Sequence, residues 1–121
     1  MRVESVRGAP AGIMEHVLLL VTPSVPAPRG EVLTALQGDL DAETVGALRN
    51  SVFPLLDPAP ERLVLDVSRV TSVGRQGMRT LVALRRKCTS AGVRFVLRSP
   101  SPSVRRRLTD GHLDPFFEIE N

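Results

Sequence analysis

The segment Leu63-Val64-Leu65-Asp66-Val67-Ser68-Arg69-Val70-Thr71-Ser72-Val73-Gly74-Arg75-Gln76-Gly77-Met78 limits the fold more than any other part of the chain. A short, nearly all-apolar run suits a strand covered on both faces, which is the mark of a parallel sheet under helices. Polar residues and two glycines follow, then apolar residues at helical spacing. The pattern predicts a buried strand over 63–67, a tight loop, and a helix from about Arg75 to Ser90. In an open α/β sheet, ligands and partners are met at such strand-to-helix junctions. A helix start presents unpaired N–H groups and a positive dipole end, so it favours an anion. Here a cation, Arg75, stands at that position.

The rest of the chain supplies the units such a sheet needs. His16 to Val21 and Glu31 to Gln37 read as two strands, antiparallel neighbours. Thr22 to Gly30, with Pro23, Pro26 and Pro28, reads as a stiff loop between them. Asp41 is the expected N-cap of the next helix, with Glu43 in its first turn. Val45, Leu48, Val52, Leu55 and Leu56 share one helical face, and Pro54 should end that helix early. On the helix after Arg75, Met78, Leu81, Val82 and Cys88 are expected inward, and Arg79, Arg86 and Lys87 outward. Gly92 is the expected stop. Val93 to Leu97 reads as a strand. Ser101 as cap and Pro102 at the first position open a last helix, which Gly111 closes. His112 is read as structural, Phe116 and Phe117 as a plug for the core, and Phe117 to Glu120 as an edge strand. The expected fold is α/β: one domain over 16–121, with a mixed four- to five-stranded sheet, three to four helices and right-handed crossovers, behind a flexible arm at 1–15.

Composition narrows function. At 121 residues and 42% hydrophobic, the chain can bury a real core. Its longest apolar run, Val17 to Val21, is strand-sized and far short of a bilayer span, and no contiguous apolar signal region opens the sequence. With a single cysteine, Cys88, this reads as a cytoplasmic protein without an internal disulfide or membrane association. Net charge is +3, and every basic residue except Lys87 is arginine. Four Phe with no Tyr or Trp leave almost nothing to stack bases on, which argues against nucleic acid. There is no phosphate-cradling G-x-x-x-x-G-K-[ST] loop, no metal-spaced His/Cys set and no nucleophile with a placed base, so an enzyme is not expected. Asp39, Asp41 and Asp66 are candidates for an acidic cluster, and Arg105, Arg106 and Arg107 read as a solvated face.

Four segments in register resemble one known family. Gly38-Asp39-Leu40-Asp41-Ala42-Glu43-Thr44 resembles the G-x-L-D-x-x-T signature of STAS domains, the anti-sigma factor antagonists. Leu63 to Val70 resembles their hydrophobic strand, Ala91-Gly92-Val93 their glycine turn, and Ser101 to Leu113 their closing segment. The resemblance implies a bacterial signalling and transcription-regulation module that binds an anti-sigma factor or a histidine-kinase-like ATPase. It also leaves open a scaffold or accessory subunit of a larger stress-signalling or lipid-transport complex, a homodimer, and weak nucleotide binding near Gly74 to Gly77; no other cofactor is implied.

The family's phospho-acceptor motif, D-S-S-G-L-G, falls on Gly74-Arg75-Gln76-Gly77-Met78-Arg79. Gly77 keeps the glycine; Gly74 replaces the aspartate, Arg75 the phospho-acceptor serine and Gln76 the second serine. A phosphoserine there would add roughly −1.5 to −2 charge beside a helix N-terminus. Arg75 cannot accept a phosphate, and its own charge opposes the dipole by about 0.3–1 kcal/mol. Ser72 or Gly74 must then cap the helix, and Thr71 and Ser72 are the nearest remaining hydroxyls. Two alternatives follow for Arg75: it meets a carboxylate or phosphate on a partner, or it is merely solvated in a paralogue that lost the switch. The expected partner surface is Asp39, Asp41, Thr44, Thr71, Ser72, Gly74, Arg75, Gln76, Gly77, Met78 and Arg79.

Overall fold

A computed structural model of the chain describes residues 19–21, 25–27 and 30–121. The expected arm at 1–15 and residues 16–18 of the expected first strand lie outside the described residues. The chain folds as a single α/β domain around four parallel strands and three helices. The strands are β1 (Leu19–Val21), β2 (Val25–Ala27), β3 (Glu31–Leu40), β4 (Arg62–Val73), β5 (Arg94–Arg98) and β6 (Glu118–Glu120). The helices are α1 (Val45–Val52), α2 (Arg75–Ala91) and α3 (Pro102–Asp110). Sheet order is β1-β3-β4-β5-β6, with β3 to β6 parallel and β1 and β2 antiparallel along the outer side of β3.

Three expectations about elements are corrected. The proline segment is not all loop, since Val25 to Ala27 pair with Glu31 to Leu33. Pro26, opposite Val32, lacks an N–H and is tolerated because β2 lies at the sheet's edge. The strand over 63–67 does not give way to a tight loop. It runs on to Val73, where Ser72 and Val73 pair with Asp39 and Leu40. Burial every third residue at Val67, Val70 and Val73, instead of strict alternation, hides this half of the strand from a period-two reading. Asp41 is not the N-cap of α1, and Glu43 is not in its first turn. Thr44 is the cap residue, and Asp41 instead accepts the Glu43 N–H at 3.0 Å.

Other local signals act as expected. Pro54 stops α1, which tightens into a 3₁₀ turn at Phe53–Leu56. Gly92 ends α2 at φ 75°, the left-handed conformation glycine adopts without strain. The Ser101 hydroxyl accepts the Val104 N–H at 3.3 Å, with Pro102 at the first helical position. His112 is exposed; its backbone, at φ 55°, closes the turn after α3 by donating to the Thr109 carbonyl. Phe117 is buried edge-to-face against Phe95 and Phe116.

The core joins Leu36 and Leu40 of β3, Leu63, Leu65 and Val67 of β4, Phe95 and Leu97 of β5, and Leu48, Leu81, Leu84, Val104 and Leu108 of the helices. Val64 and Val96 are also fully buried, so the central strands are covered on both faces. On α2, Leu81 and Cys88 face inward as expected. Met78 and Val82 are only partly covered, and Gly77, Thr80 and Leu84 fill the buried positions instead. Cys88 is fully buried, and burial pushes its thiol up to about 11. The native protein at pH 8 is therefore expected to resist a thiol reagent such as DTNB, and the denatured chain to take up one equivalent. Rapid labelling of folded protein would contradict this packing.

No helix among the described residues is long and apolar enough to cross a membrane. Across the sheet, Arg62 of β4 bridges Glu31 of β3 and Glu120 of β6, Arg98 binds Glu120, and Arg94 binds Glu118. Hydrogen bonds from these guanidiniums hold the Glu118 and Glu120 carboxyls below their ordinary range.

Candidate functional site at the head of helix α2

The site forms where β3 and β4 end side by side. Register pairs Asp39 with Ser72 and Leu40 with Val73. One carboxylate oxygen of Asp39 accepts the Thr71 hydroxyl at 2.5 Å and the Ser72 hydroxyl at 2.9 Å. Asp39 thus ties the tips of the two strands together with charge-assisted bonds. Ser103, at the start of α3, donates to the Thr71 carbonyl at 2.7 Å. It joins the third element to the site, and nothing in the local sequence around Ser103 signals it.

The turn from β3 to α1 forms the adjoining wall. The Thr44 hydroxyl donates to the Asp39 carbonyl at 2.8 Å and accepts the Asp41 N–H at 3.0 Å. Thr44 is 2% exposed. It therefore holds the 39–44 turn from beneath and is removed from the expected contact surface. Asp66 does not join Asp39 and Asp41, because its carboxylate is taken by the backbone and hydroxyl of Ser68, farther back on β4.

Helix α2 is seated against that turn by its glycines. Gly74 is the extended N-cap without a side-chain cap, and its N–H donates to the Leu40 carbonyl at 2.9 Å. Ser72 does not cap the helix; its hydroxyl is bound to Asp39. A Cβ on Gly77 would lie 2.2 Å from the Leu40 carbonyl oxygen, inside any tolerable contact. Gly77 is thus a close-approach residue, buried and out of reach of a partner.

Above this seat Arg75, Gln76 and Arg79 are exposed, with Thr71 and Ser72 beside them and Asp39, Asp41, Gly74 and Met78 partly exposed. Arg75 forms no ion pair or side-chain hydrogen bond with another described residue, so its guanidinium stands open to solvent at the first helical position. Of the eleven residues named from the sequence, nine are thus exposed or partly exposed around the head of α2, and Thr44 and Gly77 are buried beneath them. Among the described residues no cluster of His, Cys, Asp and Glu could hold a metal ion. The arrangement offers a rigid rim of hydroxyl, carboxylate and guanidinium groups.

Comparison with known proteins agrees with this architecture. Among solved structures, an anti-sigma factor antagonist from Mycobacterium paratuberculosis is 25% identical, with a TM-score of 0.71 over 83% of this chain and 85% of that one. A putative anti-sigma factor antagonist from Thermotoga maritima is 24% identical, with a TM-score of 0.70 over 82% and 85%. The unphosphorylated form of the anti-sigma factor antagonist SpoIIAA, a Bacillus protein, is 21% identical, with a TM-score of 0.67 over 81% and 86%. The STAS domain model matches residues 22–121, nearly the whole described structure. By sequence and by fold alike, the chain belongs to the STAS domain family.

Proposed function

We propose that this protein is a non-catalytic docking module that binds an anti-sigma factor or a related kinase-like ATPase, with no phospho-switch at the head of α2. The observation that carries the reading is Arg75: exposed and without a partner among the described residues, at the start of a helix whose backbone is seated closely against Leu40 at Gly77. A planar guanidinium held on a rigid element can bind a partner carboxylate or phosphate bidentately. The SpoIIAA structures include a phosphorylated form. In this chain the matching position has no hydroxyl, so association is constitutive with respect to phosphorylation there.

The test is titration against kinase-like anti-sigma proteins from the same genome. Arg75→Glu reverses the charge on an exposed side chain and should weaken binding by roughly tenfold or more, about 1.4 kcal/mol. Incubation with the partner and ATP should place no phosphate on Thr71 or Ser72, the hydroxyls nearest the head of α2. Unchanged affinity in the variant would remove Arg75 from the interface. Absence of binding to any such partner would overturn the docking reading itself.

A further inference from the structure

Two sets of arginines stand apart among the described residues. Arg62, Arg94 and Arg98 are neutralised by Glu31, Glu118 and Glu120 along the sheet. Arg75, Arg79, Arg86 and Arg107 have no carboxylate partner among the described residues, and all four line one groove of about 640 Å³. One wall is the outer face of α2, where residues 75, 78, 79, 82, 83 and 86 follow helical spacing over about 16 Å. The other wall is the end of α3 and the turn after it, with Arg107, Asp110 and Leu113. The floor is apolar, made of Met78, Val82, Ala83 and Leu113, each partly exposed. Asp110 is the one acid in the groove.

We propose that this groove receives an acidic amphipathic helix from the partner protein. Apolar side chains one turn apart on the incoming helix would cover Met78, Val82 and Leu113, and flanking Asp or Glu residues would meet the four guanidiniums. Met78 suits such a seat because its flexible thioether adapts to the shape laid on it. Arginine forks bind carboxylates bidentately, which sets register as well as attraction. A groove of about 16 Å accepts about three helical turns. A second copy of this chain would set four more arginines against these. A nucleic acid strand would find no aromatic surface in the lining. The proposal rests on the docking reading for Arg75, which the two surfaces share, and extends it to Arg86 and Arg107 beyond the head of α2.

The experiment uses the full chain and a fluorescent helical peptide of about 15 residues, with leucines at i, i+4 spacing flanked by glutamates. Expected are saturable binding that weakens with salt, methyl NMR shifts at Met78, Val82 and Leu113, and a loss of roughly tenfold or more in the Arg86→Glu/Arg107→Glu variant. Both positions are on the helix surface, and an unchanged melting temperature will verify that the variant is folded. Three results would overturn the proposal: no saturable binding below about 1 mM, equal binding by the variant, or preference for phosphatidylglycerol vesicles over the peptide with the same arginine dependence. The two readings fail separately. If Arg75→Glu weakens the kinase-like partner and Arg86→Glu/Arg107→Glu does not, the groove is wrong and the docking site stands. If the peptide binds as expected and no kinase-like protein does, the groove stands and the partner class is wrong.

Discussion

Replacing Gly77 with alanine is expected to destabilise the protein by about 3 kcal/mol, although alanine is the better helix former by about 1 kcal/mol. Steric overlap decides the sign. The new Cβ would sit 2.2 Å from the Leu40 carbonyl oxygen and 2.9 Å from the Leu40 carbonyl carbon. Both are backbone atoms of a paired strand and cannot swing aside. The start of α2 would have to retreat by about 1 Å to restore ordinary contact, straining the 2.9 Å Gly74–Leu40 hydrogen bond. Thermal unfolding should shift down by roughly 10 °C for a chain of this size.

Gly46→Ala is the matched control. That site, in the first turn of α1, has open space where the Cβ would go, so the same exchange should stabilise by up to about 1 kcal/mol. Leu40→Ala should not rescue Gly77→Ala, because it leaves the carbonyl in place. Equal melting temperatures for Gly77→Ala and the parent would mean that α2 is not seated on β3 as described. Because Arg75 is only two residues away, Gly77→Ala should also displace the proposed contact surface.

Leu84→Ala should lower stability by about 3 kcal/mol, within the range for emptying a closed leucine site. Met78→Ala and Val82→Ala should each cost below about 1.5 kcal/mol. All three residues lie on α2, but Leu84 is 0% exposed, whereas Met78 and Val82 border the groove shared with α3. Surface facing solvent in both the folded and unfolded chain contributes little to the difference between them. Urea denaturation of the three variants measures this ordering directly. If Met78→Ala proved as damaging as Leu84→Ala, Met78 would belong to the closed interior and the groove would lose its floor.

The contrast on α2 shows how far periodicity reaches. Helical spacing identified Met78, Leu81, Val82 and Cys88 as one apolar stripe, yet a helix lying on a sheet buries only the part of that stripe its neighbours cover. Where α3 turns away after Asp110, the edge of the stripe stays partly open. The outward placement of Arg79 and Arg86 was legible from helical spacing. Arg107 and Leu113 as the opposing wall were not, because they lie more than twenty residues away in the chain and meet α2 only through the way α3 folds back. The same limit applies to Asp39, whose hydroxyl partners lie 32 and 33 residues ahead.

What the order of residues settled unaided was local chemistry: Gly92 and Ser101 mark helix ends, Pro54 stops a helix, and the apolar run at 63–67 demands cover on both faces. Each depends on a few neighbouring dihedrals or on hydrophobic spacing, so nothing distant is needed to read it. Folding in three dimensions decided that 68–73 would be strand, because the partner groups for that polar backbone come from Gln37 to Leu40. It likewise gave Gly77 its role, since only the arrival of the Leu40 carbonyl turns a missing side chain into a requirement. Hydrogen-bond satisfaction and close packing are properties of pairs, and for these residues the second member is far along the chain.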